Sequence, residues 1–220
     1  MAKAPVAGTV KTRLVPPLTH EQAAGLYRSI LWDQLEHLKE LTIADLFLAF
    51  TPSEAASLMA DMAPPNFRRF AQRGDDLGAR MKGVFEELIG WEYRNIVLIG
   101  GDLPPLPLEF LQKAFEILAA SGKRVVLGPS GDGGYYLVGM NQPTPQIFAG
   151  MSWSHSQVLA QTVDRLTELE IEPELLPVWF DLDTVEDLAA LQSLPDSKTR
   201  KAMKRTLEFL RGLKALDRSV

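Results

Sequence analysis

The sequence predicts an α/β fold with a mainly parallel sheet. Short β-branched or aromatic runs alternate with longer segments whose apolar residues recur at three- and four-residue steps. A chain of 220 residues with 46% hydrophobic content can bury a sizeable core. No internal repeat, low-complexity tract or long linker breaks the alternation. One domain over residues 1–193, with a basic helix over 194–220 packed on it, is the simplest organisation.

The first helical pattern covers about His20 to Leu41, with Leu26, Ile30, Leu31, Leu35 and Leu38 on one face and Thr19 or His20 ahead of Glu21 as its start. A strand follows over Ile43 to Phe50, then a helix over Ser53 to Met62 opened by Ser53 before Glu54. Pro64 and Pro65 mark a loop before a strand over Phe67 to Gln72 and a helix over Leu77 to Ile89. Next come a strand over Asn95 to Ile99, a helix over Pro107 to Ala120, and strands over Arg124 to Leu127 and Tyr135 to Gly139. Pro143 to Pro145 form a loop, a helix spans Ser154 to Glu168, and a strand covers Glu174 to Val178. Thr184, ahead of Glu186 and Asp187, starts a helix over Val185 to Gln192, and a last helix runs from Ser197 to Leu216.

Charge narrows the function classes. With 23 basic against 28 acidic residues the formal charge is -5, which argues against a general nucleic-acid surface. The tail departs from this: residues 194–220 hold 8 Lys/Arg and 3 Asp/Glu, leaving 15 basic and 25 acidic residues elsewhere. A basic amphipathic helix explains it, with membrane or partner docking as the alternative. The chain has no cysteine, so disulfides, thiolate metal sites and thiol nucleophiles are excluded. No apolar run approaches the ~18 residues of a membrane span, and residues 1–11 lack the apolar centre of a signal peptide. A soluble, unprocessed, cytoplasmic protein is expected, of unspecified oligomeric state.

Four segments could carry chemistry. MAKAPVAGTVKTRL sets Lys3, Lys11 and Arg13 around a Pro/Gly loop. Lysine and arginine supply charge and donors for a di- or triphosphate, and Gly8 permits close backbone approach. A solvated basic loop is an equal alternative, and Val10 before Lys11 argues against a Walker loop. IVLIGGDLPPL delivers Asp102 at the carboxyl end of a strand, where open α/β sheets bind ligands. A carboxylate there can hold magnesium, or it can satisfy the amides of its own turn. LGPSGDGGYYLVGM carries Asp132, Gly133 and Gly134 between apolar runs, without the helix that a dinucleotide fingerprint requires. Asp132 could orient an acceptor, act as a base or simply close a turn. WFDLDTVEDL places Asp181 and Asp183 on one side of an extended segment. Asp183 is a candidate metal ligand, while Glu186 and Asp187 suit a helix N-terminus. His155 reads as exposed or capping, and Trp153 and Trp179 read as packing residues that could otherwise stack on a base or sugar.

In this order the segments resemble the nucleotide-diphospho-sugar transferase superfamily, of the GT-A-type fold. The pattern AKxPxxGxVKTRL, GxDxP, GPxxDGGYYLxG, W and DxDTxxDL of its bacterial glycosyltransferase-like branch is matched from Lys3 to Leu188. Phospholactate and molybdopterin guanylyltransferases share the broad scheme. The resemblance implies a three-layer α/β/α architecture in which Lys3, Gly8, Lys11 and Arg13 bind phosphates and Lys11 assists catalysis. It also implies that Asp102 and Asp183 hold Mg2+ or Mn2+, and that catalytic Asp132, with Gly133 and Gly134, lines the acceptor side. Gln72, Leu77 and Gly78, with Ala79, are similar to a base-reading loop of related nucleotidyltransferases. Relatives carry a short apolar strand immediately before AKxP, so this first strand is expected to be missing here or to be encoded upstream of Met1.

The implied function is a metal-dependent glycosyltransferase using a nucleotide-sugar donor and a small-molecule acceptor. One alternative is a nucleotidyltransferase that joins a nucleoside triphosphate to a phosphorylated small molecule and releases pyrophosphate. The other is a nucleotide-binding protein without catalysis.

Overall fold

A computed structural model of the chain describes residues 1–153, 155–192 and 198–217. The fold is α/β, with a mainly parallel three-stranded sheet and helices on both sides. The chain divides into two compact units that interleave in sequence. The first comprises Met1–Phe70, Gly101–Pro107 and Asp181–Val220, and the second Ala71–Gly100 and Leu108–Phe180.

In the first unit the sheet runs β1 (Ala2–Lys3), β2 (Leu46–Thr51), β3 (Phe67–Ala71), the last residue of β3 counting with the second unit. The expected gap before Lys3 is therefore partly filled: β1 exists as two residues, parallel to β2, with Ala2 opposite Phe50 and Lys3 opposite Thr51. Pairing continues past it, since the Ala4 amide donates to the Thr51 carbonyl at 2.8 Å. Helix α1 (His20–Leu38) begins at a capping box, in which the Thr19 hydroxyl accepts from the Gln22 amide while the Gln22 side chain accepts from the Thr19 amide. Its expected apolar face, from Leu26 to Leu38, is buried. A single turn of 3-10 helix over Ser53–Ala55 leads into α2 (Ala56–Met62).

Later in the chain, α6 (Val185–Gln192) has the bounds that the sequence predicts. The single tail helix expected from Ser197 is instead two, α7 (Lys198–Ala202) and α8 (Lys204–Asp217), broken near Met203. Asp33, inside the buried face of α1, explains where α8 begins. Its carboxylate accepts from the Arg205 amide at 3.1 Å and the Thr206 amide at 2.8 Å, giving acceptors to two of the orphan donors at that helix start. The proposed boundary between 193 and 194 and the helix start at Ser197 lie outside the described residues, whereas the helix expected from Ser154 begins only at Val158, because residues 155–157 form a turn.

The second unit holds α3 (Leu77–Gly90), α4 (Leu108–Ala119), α5 (Val158–Glu168) and a sheet of β4 (Ile96–Ile99), β6 (Tyr135–Met140), β5 (Val125–Pro129) and β7 (Glu174–Leu175), in that order. Strand β6 runs antiparallel to both of its neighbours, whereas β5 and β7 are parallel. Loop length accounts for this reversal. Only residues 130–134 join β5 to β6, and a parallel crossover needs about a dozen residues. Every residue of β5 is buried, as is β6 after Tyr135, so these strands read as continuous apolar runs.

Candidate active site

The site is built around Lys11. Its backbone lies in the left-handed region (φ 48°, ψ 39°), just before a turn of 3-10 helix over Thr12–Leu14. A non-glycine residue there carries strain that its surroundings must hold in place. Buried Val10 and fully buried Leu14 anchor the loop on either side. The Lys11 side chain is itself only 3% exposed, so its ammonium has left water and needs partners. It finds three oxygens: Asp183 Oδ1 at 2.6 Å, Asp102 Oδ2 at 3.2 Å and the Asp102 carbonyl at 3.4 Å. Burial by itself would lower the lysine's pKa, but the charges and hydrogen bonds of Asp102 and Asp183 outweigh it and raise the pKa above its ordinary value. Lys11 therefore stays protonated.

Both carboxylates keep an open side. Asp102 is 43% exposed and Asp183 35%, and the largely exposed Arg13 adds a second positive charge with its Nη1 3.6 Å from Asp183 Oδ2. Asp183 is held by the start of α6. Asp187 Oδ2 accepts from the amides of Asp183 and Thr184, at 2.9 and 2.7 Å, and from the Thr184 hydroxyl at 2.9 Å. Asp187 therefore serves as a helix N-terminal acid, as its position suggests, and also sets the backbone from which Asp183 projects.

Tyr27 of α1 completes the cluster. Its hydroxyl accepts from the Lys3 amide at 3.1 Å and its ring centroid lies 6.0 Å from Lys11 Nζ. Burial, with the charge of Asp102 adding, pushes that hydroxyl well above its usual pKa, so it remains a neutral phenol. Sequence reasoning missed Tyr27 because an aromatic on the apolar face of a helix looks like any core residue. Lys3 lies in β1 with its side chain exposed, and Gly8 sits at φ 78° on the exposed part of the loop. Among the described residues no group of three or more His, Cys, Asp or Glu could hold a metal. The pair of aspartates suits a hard ion such as magnesium, which retains water and takes further oxygens from phosphate.

Comparisons place the chain in a family. Residues 34–155, a little over half the chain, match the family described as uncharacterized protein conserved in bacteria (DUF2064). The crystal structure of a candidate nucleotide-diphospho-sugar transferase from Desulfovibrio desulfuricans G20 is 35% identical, covers 99% of this chain and 94% of its own, and superposes with a TM-score of 0.88. The chain belongs to the nucleotide-diphospho-sugar transferase superfamily, in its DUF2064 family. The crystal structure of Rv0371c from Mycobacterium tuberculosis H37Rv, 18% identical over 88% of this chain and 97% of its own, shares the fold at a TM-score of 0.53. No curated protein matches the chain.

The remaining candidate positions fall in the second unit. Asp132 is exposed in the β5–β6 loop, where its Oδ1 accepts from the Ser130 hydroxyl at 2.5 Å and the Gly134 amide at 3.0 Å. One oxygen thus closes the turn, and Oδ2 takes no part in it. Gly133 has φ 88°, and a Cβ there would lie 2.1 Å from the Ser156 carbonyl oxygen, so only glycine fits. Gln72 follows β3, and exposed Leu77 opens α3 behind the N-cap Asp76, whose carboxylate accepts from the Ala79 amide at 2.7 Å. Gly78 is buried against the Trp153 ring, 2.6 Å from where a Cβ would stand, so packing explains this glycine. Trp153 and Trp179 both pack, the first beside Phe148 and the second edge-on to Phe110 with its centroid 5.8 Å away. His155 Nδ1 accepts from the Gln157 amide at 3.1 Å, a local cap.

Proposed function

We propose that this protein is a divalent-ion-dependent transferase whose donor is a nucleotide-sugar. The observation that carries the reading is the meeting of Lys11, Asp102 and Asp183, with Arg13 beside them, in a chain 35% identical to a candidate nucleotide-diphospho-sugar transferase. On this reading Asp102 and Asp183 hold Mg2+ or Mn2+, which supplies positive charge to the diphosphate as it leaves. Lys11 and the exposed Arg13 add donors for the same phosphates, so that charge developing on the leaving group meets two cations. Asp132, through Oδ2, is assigned to the acceptor as orienting group or base, with Gly133 and Gly134 shaping the loop around it. Gln72 and the start of α3 are assigned to the nucleotide base.

A thermal-shift panel of nucleotide-sugars and nucleoside triphosphates, each with and without magnesium, tests the reading. A ligand at 100 times its Kd stabilises the native state by about 2.7 kcal/mol, which raises Tm by roughly 5–10 °C for a chain of this size. A nucleotide-sugar that shifts Tm only with magnesium supports the proposal. A shift confined to triphosphates transfers it to nucleotidyl transfer, and no shift by either class ends it.

A further inference from the structure

Lys11 stands at the point where the two aspartates converge. Its ammonium lies 2.6 Å from one carboxylate and 3.2 Å from the other, so it already occupies the place where a shared ion would be drawn. A divalent ion on the same oxygens would stand beside a buried positive charge and compete with it for acceptors. The loop backbone is pinned between Val10 and Leu14, but the four-carbon stem of lysine can turn its head without moving that backbone.

Resting on the metal-and-phosphate reading above, we propose that Lys11 is a resident counter-ion that keeps Asp102 and Asp183 from a bare divalent ion until a phosphate chain draws the ammonium away. The ammonium exchanges carboxylate oxygens for phosphate oxygens, the vacated pair takes the ion, and ion and nucleotide enter together. Alone the ion binds weakly. Because coupling is reciprocal, phosphate strengthens ion binding by the factor by which the ion strengthens phosphate binding.

Equilibrium dialysis of Mn2+ against the full chain reads this without any turnover. Lys11→Met, which keeps the length of the side chain and removes its charge, is expected to bind Mn2+ at least about tenfold more tightly than wild type when no phosphate is present. Adding Asp102→Asn to Lys11→Met is expected to abolish that gain, which locates the ion on the carboxylate. Inorganic pyrophosphate should raise the Mn2+ affinity of the wild type severalfold and that of Lys11→Met much less, a comparison that Lys11→Gln repeats if the methionine variant folds poorly. Wild type and both Lys11 variants binding Mn2+ equally without phosphate would overturn the counter-ion role. If pyrophosphate still promotes Mn2+ binding through Asp102 in that case, the transferase reading survives alone. No Mn2+ binding by the wild type, even with pyrophosphate, overturns both.

Discussion

At the scale of single residues, the site rests on one buried cation shared by two half-exposed anions, and the two kinds of residue answer differently to substitution. In Asp102→Asn, Lys11 keeps Asp183 Oδ1 at 2.6 Å and the carbonyl of residue 102 at 3.4 Å, so the ammonium is not orphaned. The unliganded protein should lose about 1–2 kcal/mol, a fall of a few degrees in Tm, while on the proposed transferase reading magnesium-dependent nucleotide binding disappears. A variant that still bound nucleotide with wild-type magnesium dependence would end the proposed role of Asp102 as a metal ligand. Lys11, Asp102 and Asp183 stood out in the sequence because each lies in a short run with its own turn chemistry. Tyr27 was not, since nothing local separates a tyrosine beneath an ammonium from one in a core. For Asp132 the sequence left acceptor chemistry and turn closure both open, and its bond to Ser130 shows that turn closure uses one of its oxygens.

At the scale of elements, two contacts decide how neighbouring segments dock. Asp33 of α1 caps α8, and burial raises its pKa above the usual 3.8 despite the opposing hydrogen bonds from the Thr206 and Arg205 amides. For an acid with a raised folded pKa, the folded state holds its proton more tightly than the unfolded state. This contribution to stability is fully present below the unfolded value and lost as pH rises through the folded one. Asp33→Ala should cost about 1–2 kcal/mol through the lost cap. In urea titrations across pH, the wild-type advantage should be greatest below 3.8 and shrink as pH rises. An advantage that grows with pH would contradict the assignment. The second contact is Gly133 against Ser156, at the approach to α5. Gly133→Ala meets a backbone oxygen at 2.1 Å with φ 88° and should cost about 2–4 kcal/mol, whereas a Cβ at Gly131 meets nothing within 4 Å. Equal effects of the two alanines on the denaturation midpoint would show that the loop yields.

At the scale of the whole molecule, the basic tail belongs to the first compact unit. Met203 and Thr206 are fully buried, Asp33 reaches the start of α8, and the Arg205 guanidinium lies 4.1 Å from the centroid of the Trp32 ring. Ending the chain at Gln192 should therefore cost about 3–5 kcal/mol, read as a lower urea midpoint, and an unchanged midpoint would make the tail an appendage. The α/β alternation, most helix and strand positions and the candidate ligands were determined by the sequence alone, because periodicity, caps and turns act over a few residues. The break between α7 and α8, the reversal of β6 and the two-unit division depended on packing and connection geometry. So did the ion pairs that unite the site: Lys11 meets Asp102 across 91 positions and Asp183 across 172. Such a meeting is decided by the path of the whole chain, and the energy that holds a buried ammonium there exists only once distant segments have excluded water from it.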